Sequence, residues 1–354
     1  MVLINLISEF RAIPLKPRIA LLLTLGFVAL TLGCGGNPAP VAVRVGHFPN
    51  ITHSQALVGK ASGKFDAALA PVAKVEWKEF NAGPSVIEAI FARALDLAYI
   101  GPNPTITGYI RSKGEALRVV AGATSGGAAL VVRSAAGIKE PKDFHGKRIA
   151  TPQQGNTQDV ALRVWLQANG LTTRDKGGDV QVIPIANTDQ LTLFIRGEID
   201  AAWAPEPWAS RLVHEAGGRV YLDEQDLWPN RQFVTASLIV RTEFLQQHPD
   251  LVKRFLRAHV ELSRWINKDP DETKRILNAE IRGEIGKALS PDVLNDAFSR
   301  LEVTFDPMHD SLFRAAQQAY QLGFLGREAP NLSGLYDLNL LNEVLRETKA
   351  APIQ

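Results

Sequence analysis

The stretch Lys147–Ala168, KRIATPQQGNTQDVALRVWLQA, contains the unit from which the fold is built. Lys147 to Ala150 reads as a short strand. From Asn156 the apolar residues change to helical spacing, with Val160, Ala161, Val164, Trp165 and Ala168 on one face. The intervening Gln153-Gln154-Gly155-Asn156-Thr157 is polar and carries a glycine, as a loop between strand and helix does. Working downstream, Val180 to Ile185 is a strand, a helix starts at Thr188, Ile199 to Trp203 is a strand, a helix follows Pro207, and Val220 to Leu222 is a strand. Strands and helices alternating at this rhythm predict βαβ units on a mainly parallel sheet.

An equivalent set lies upstream. Val41 to Phe48 (VAVRVGHF) reads as a strand, Ser54 to Ser62 as a helix closed by Gly63, and Lys74 to Phe80 as a half-exposed strand. Pro84-Ser85 opens a helix with Val86, Ile87, Ile90, Phe91 and Ala94 on one face. Leu97 to Ile100 is a buried strand, a helix starts at Pro104, and Leu117 to Ala121 is a further strand. Ala129 to Arg133 lies between the sets and Thr235 to Arg241 after the second. From Glu243 onward an all-helical chain is expected, ending in Leu335 to Leu345.

A chain of 354 residues has room for two domains. Its 45% apolar and 21% charged residues are those of a globular protein. The formal net charge is +2, and residues 1–33 supply all of it through Arg11, Lys16 and Arg18 against Glu9. The remainder is neutral, which argues against nucleic-acid binding, since phosphate neutralisation needs a basic excess. One cysteine allows neither an internal disulfide nor a Cys-based zinc site.

That cysteine follows the only long apolar run, Ile19 to Leu32, whose helix would span about 21 Å against a hydrocarbon core of about 30 Å. A basic segment, a short apolar run and small residues at its exit predict a signal peptide over residues 1–33. Thr31-Leu32-Gly33-Cys34 resembles a bacterial lipobox, with Thr31 departing from the usual Leu. This resemblance implies lipidation of Cys34 and a tether over residues 34–41.

In open α/β sheets, ligands bind beyond the carboxyl ends of the strands, where helix N-termini present free N–H groups. The segments expected there are Pro49-Asn50-Ile51-Thr52-His53-Ser54, Asn81-Ala82-Gly83, Gly101-Pro102-Asn103-Pro104-Thr105, Gly122-Ala123-Thr124-Ser125-Gly126-Gly127, Gln153 to Thr157, and Ala204-Pro205-Glu206-Pro207-Trp208. They are rich in hydroxyls, amides and glycines and hold no Lys or Arg, a chemistry suited to a permanently ionised anion such as a sulfonate, sulfate ester or nitrate. Each element also has a plain structural role. Asn103 and Asn156 are good N-caps, and His53 can serve as a cap or face solvent. Trp203 and Trp208 can simply fill core, and Glu206 can form an ion pair at a lid. There is no G-x-x-x-x-G-K-[ST] and no H-E-x-x-H, and Ser125 is out of step with a nucleophile elbow, so no catalytic constellation is expected.

Several stretches together resemble the solute-binding proteins of bacterial ABC importers, in the branch serving alkanesulfonates, taurine and nitrate. They are Val45 to Asn50 with Thr52-His53, Asp96 to Pro102, Lys142 to Ala150, Gly197 to Ala201, and Pro205 to Trp208. The resemblance covers about residues 43–300. It implies a type II periplasmic binding protein fold: two doubly wound α/β lobes joined by two hinge segments, with Ala129–Arg133 and Thr235–Arg241 as the crossings. Lobe I would comprise residues 42–128 and 236–345, including the C-terminal helices, and lobe II residues 129–235.

By the same resemblance, a monomer without cofactor or metal captures a small anionic solute for an ABC permease and its ATPase. It would work outside the cytoplasm, held to the membrane by its lipid. The implied contacts are Pro49, Asn50, Thr52, His53, Asn103, Thr124 and Ser125 from lobe I, and Asn156, Thr157 and Glu206 from lobe II. The resemblance also touches proteins that capture or make the thiamine pyrimidine. Some of those consume pyridoxal phosphate, for which His53 is the only candidate holder in the loops.

Overall fold

The computed structural model describes residues 40–353, so the expected signal peptide, Cys34 and most of the tether lie outside the described residues. The first half of the chain runs β1 (Val41–His47), α1 (Ser54–Ala61), α2 (Lys64–Leu69), β2 (Ala73–Glu79), α3 (Gly83–Phe91), β3 (Leu97–Ile100), α4 (Pro102–Arg111) and β4 (Leu117–Gly126). Next come β5 (Ala128–Arg133), β6 (Arg148–Thr151), α5 (Thr157–Ala168), β7 (Gln181–Pro184), α6 (Asn187–Arg196), β8 (Ala201–Pro205), α7 (Trp208–His214) and β9 (Gly218–Asp223). The chain then returns through β10 (Val234–Arg241), α8 (Thr242–Gln247), α9 (Pro249–Lys268), α10 (Pro270–Ile285), α11 (Pro291–Ser299), β11 (Leu301–Val303), α12 (His309–Gln321) and α13 (Asn339–Glu347).

These strands form two sheets, ordered β11-β4-β10-β3-β1-β2 and β7-β6-β8-β5-β9. Alternation along each strand explains why helices cover both faces. In the first sheet Leu97 and Tyr99 pack with Leu57, Phe65 and Phe255, whereas Ala98 and Ile100 pack with Ile87, Ile106 and Leu312. In the second, Leu130, Val132 and Trp203 meet Leu162 and Trp165, while Val131, Ala202 and Ala204 meet Phe194, Trp208 and Leu212. Each sheet is thus the middle layer of an α/β/α lobe.

The two lobes share an anchoring device at the start of their strands. Asp96 accepts from the Arg44 backbone N–H at 2.9 Å and from the Arg44 and Arg241 guanidinium groups at 2.7 and 2.9 Å. Asp200 accepts from the Arg148 backbone N–H at 3.0 Å and from the side chains of Arg148 and Arg133 at 3.2 and 3.3 Å. Burial works against ionising Asp96, but the bonds from Arg44 and Arg241 outweigh it and hold the carboxyl below its ordinary range.

Three expectations need correction. β5 and β10 belong to the sheets themselves, antiparallel to their neighbours, so each sheet is mixed and the crossings fall just before those strands. The first crossing is Gly126-Gly127, with φ of 73° and 80°, a left-handed pair that glycine adopts without steric cost. The second runs through the turns Glu224–Leu227 and Pro229–Arg231. The region after Glu243 is not all helical, because Leu301–Val303 pairs with β4 and covers what would be an open sheet edge. Finally, the last helix begins at Asn339; Leu335 and Tyr336 lie along β4 instead, where the Leu335 carbonyl accepts the Val119 N–H at 2.9 Å. Among the described residues no helix is long and apolar enough to cross a membrane.

Candidate functional site

The carboxyl ends of β1, β2 and β3 in one lobe face those of β6, β7 and β8 in the other, and the lobes are shut. Trp208 Nε1 donates to Asn50 Oδ1 at 2.8 Å, the Ile51 N–H to the Glu206 carbonyl at 3.0 Å, and Asn81 Nδ2 to the Pro152 carbonyl at 3.1 Å. Between them lies a cavity of about 20 Å³. That is little more than a water needs.

The cavity wall comes from both lobes. Phe48, Asn50, Thr52 and His53 follow β1, Asn81, Ala82 and Gly83 follow β2, and Gly101 and Pro104 follow β3. The second lobe contributes Pro152, Asn156, Thr157, Gln158, Asn187 and Pro205, and Thr235 comes from β10. None of these residues carries a formal charge at neutral pH, provided His53 is neutral. It is: burial first, and His47 second, push its ring well below the ordinary histidine value. The Phe48 N–H donates to His53 Nδ1 at 3.2 Å, so Nδ1 is the acceptor and the neutral ring carries its proton on Nε2. The remaining polar groups are amides and hydroxyls. The first turns of α3, α4, α5 and α6 reach the wall, adding N–H groups and helix dipoles.

Thr157 stands at the first position of α5, and its Oγ1 is buried without a partner. Asn187 Oδ1 is likewise unpartnered. Buried polar atoms in native proteins are nearly always satisfied, so these mark places where a bound group completes the hydrogen bonding. Asn156 differs: its Oδ1 caps α5 through the Asp159 N–H at 2.9 Å and its Nδ2 donates to Gln158 Oε1 at 3.0 Å.

Of the residues singled out from the sequence, Asn50, Thr52, His53, Asn156 and Thr157 come together on the cavity wall. Pro49 lines an outer cavity of about 390 Å³ that shares Asn50, Asn81 and Asn187 with the inner one. Asn103 is buried in the first turn of α4 with Nδ2 unpartnered, beside Pro104. Thr124 and Ser125 lie within β4 and do not line the cavity; the Thr124 hydroxyl donates to the Thr52 carbonyl at 2.6 Å. Glu206 is also off the wall. Its Oε2 accepts the Ser210 N–H at 3.1 Å and its Oε1 lies 3.3 Å from Arg300 Nε, in an ion pair between the lobes that Asp223 joins at 3.2 Å. Burial pushes the Glu206 carboxyl up to about 7, against the opposing pull of the Ser210 bonds and Arg300.

The wall also holds Asn81, Gln158, Asn187 and Thr235, which the sequence does not mark as individual contacts. Asn81 stands in a loop already legible as a strand end, and Asn187 directly precedes the predicted helix start at Thr188. Thr235 carried no signal, because its strand reads as a hinge segment.

Comparison with known proteins agrees with this architecture. A protein of Bacillus subtilis (strain 168), named as an aliphatic sulfonates-binding protein, is 26% identical over 313 residues, covering 86% of this chain and 89% of its own. The alkanesulfonate-binding protein SsuA of Xanthomonas axonopodis pv. citri, solved bound to MOPS, superposes with a TM-score of 0.70 at 20% identity over 84% of this chain and 98% of its own. The periplasmic nitrate-binding protein NrtA of Synechocystis PCC 6803 gives 0.72 at 16% identity over 88% and 90%. The NMT1-like family model matches residues 36–281, and the chain belongs to that family.

Proposed function

We propose that this protein is the extracytoplasmic solute-binding component of an ABC importer. It captures a small organosulfur oxyanion (an aliphatic sulfonate, taurine or a sulfate ester) between its lobes and delivers it to the permease without chemical change. One observation carries the reading: a closed, uncharged, donor-rich cavity built by both lobes, with Thr157 Oγ1 buried and unpartnered in its wall. A sulfonate stays ionised throughout the physiological range and needs no proton exchange with the protein. Neutral donors and helix N-termini stabilise it without the desolvation cost of a buried Lys or Arg.

Closure follows from the division of the wall. A ligand that contacts only one lobe leaves the open–closed equilibrium where it was, whereas one that bridges Thr52 or His53 to Thr157 favours the closed state by its added contacts. The names of the relatives, for sulfonates and nitrate, support an oxyanion as cargo. Nitrate is the second reading, favoured by the small inner cavity. A pyridoxal-using enzyme fits poorly: no Lys lines the inner cavity, and His53 Nδ1 is engaged by the Phe48 N–H.

A thermal-shift screen of alkanesulfonates, taurine, sulfate esters, nitrate and pyrimidines tests the proposal. Ligand at a hundredfold excess over Kd stabilises the fold by about 2.7 kcal/mol. A midpoint shift with pyrimidines alone would sink it. The proposal includes a monomer tethered by lipid on Cys34, and mass spectrometry of the membrane-extracted protein tests the tether. An intact Met1 or an unmodified mature N-terminus contradicts it.

A further inference from the structure

The outer cavity sits against the inner one, with Asn50, Asn81 and Asn187 in the wall of both. The inner cavity has no room for a tail while the lobes are shut, so the tail of a ligand whose head is held there leaves past these amides into the outer space. The walls of that space contain Trp208 and Ile285, and also two carboxylates, Glu79 and Glu284.

Glu284 is the unusual one. Its side chain is 4% exposed, and its Oε1 is doubly engaged, by His47 Nε2 and Lys60 Nζ, each at 2.6 Å. Its Oε2 is buried with no partner. Glu79 stands beside it, since His47 and Glu79 are paired neighbours on β1 and β2. Lys60 is shared further with Glu280 at 2.8 Å. The cluster therefore holds three carboxylates against one lysine and one histidine, and keeps a negative surplus even with His47 protonated. Burial and then the charge of Glu284 raise the Glu79 carboxyl above its ordinary range, whereas the bonds from His47 and Lys60 outweigh burial and hold the Glu284 carboxyl below its own, so Glu79 is the acid of the pair short of a counter-ion. Among the described residues no such group is arranged to hold a metal ion.

Resting on the oxyanion reading above, we infer that the outer cavity is an ammonium subsite. The cargo is a zwitterion whose oxyanion sits in the inner cavity and whose cationic tail lies between Glu79 and the free oxygen of Glu284. The counter-charge of the tail completes the hydrogen bonding of Glu284 Oε2 and relieves the repulsion between the two acids. Trp208 and Ile285 cover the methylene linker. The inner cavity recognises the head common to all sulfonates, and the outer cavity chooses among tails.

Calorimetric titration with three sulfonates of equal chain length, ending in methyl, hydroxyl or ammonium, tests the assignment on the wild-type protein and on Glu79→Gln. The ammonium compound is expected to bind at least tenfold more tightly than the hydroxyl compound, and Glu79→Gln is expected to reduce that ratio several-fold. Equal affinities for all three, or a preference for the methyl terminus, overturn the ammonium subsite and leave the oxyanion reading standing. A ratio unmoved by Glu79→Gln also overturns it. If none of the three binds, the oxyanion reading itself fails, and the subsite with it.

Discussion

Gly101 of one lobe and Thr157 of the other meet across the cleft with no room for a methyl group between them. A side chain at residue 101 would overlap the Thr157 hydroxyl and press on Thr157 Cβ at 3.3 Å, while the Thr235 carbonyl oxygen lies at an ordinary 3.4 Å. The backbone of Gly101 is extended, at φ −73° and ψ 161°, which any residue adopts. Glycine is needed there for the approach of the two lobes rather than for its own conformation.

Gly101→Ala therefore separates closure from folding. The variant is expected to melt within a degree or two of the parent without ligand, and to bind the cargo at least tenfold more weakly. Paired calorimetry and thermal melts check this. Unaltered affinity would mean that the lobes do not approach this closely when ligand is bound.

Thr157 on the cavity wall and Thr124 behind it have opposite expectations. Thr157 Oγ1 has no partner within the protein, so Thr157→Ala costs the unliganded fold almost nothing. A donor to a charged ligand is worth about 1.5–3 kcal/mol, so affinity falls by about one to two powers of ten. Thr124→Ala removes the bond to the Thr52 carbonyl and is expected to cost about 1 kcal/mol of stability, with a smaller effect on binding. The reverse pattern, with Thr157→Ala binding normally, would contradict the cavity assignment.

Stability should rise as pH falls through neutrality. Burial pushes the Glu224 carboxyl up to about 7, even though Trp203 Nε1 donates to it at 2.7 Å, and Glu206 is pushed up to a similar value. The folded pKa lies above the unfolded one, so the folded state binds the extra proton and this stabilisation is complete below about 4.3. It is lost as pH rises through about 7. Thermal midpoints are expected to be higher at pH 6.5 than at pH 8, and Glu224→Gln should shrink the difference. Buried His53 and His259, both lowered by burial, oppose this below about 6.5, where the unfolded chain takes up protons that the folded one refuses; Asp96 and Asp200, held below their ordinary range, do so at more acidic pH. A midpoint that rises steadily from pH 6.5 to 8 would contradict this account.

The sequence made the alternation of strands and helices legible because it is written in local periodicity. The change from strand to helix spacing between Ala150 and Val160 coincides with β6, α5 and the Asn156 cap. What it left open was which polar atoms already have a partner in the fold, some close by in the chain and some, such as Thr52 and Arg300, far away. Thr124, Asn156 and Glu206 all look like ligand donors or acceptors in isolation, yet their polar atoms are engaged by Thr52, Asp159 and Gln158, and Ser210 and Arg300. The strand Leu301–Val303 is only three residues long and exists to cover the edge of β4, so no local pattern announces it. Asn187 and Thr235 reach the cavity only because two lobes close, a relationship that periodicity does not encode.

The most direct measurement of the central claim is calorimetric titration of the purified protein with an alkanesulfonate or taurine, followed by recovery of the ligand and its identification by mass spectrometry. The account predicts a saturable isotherm with one site per chain and a ligand recovered unchanged. Absence of saturable binding across the sulfonates, or their consumption by the protein, would contradict it.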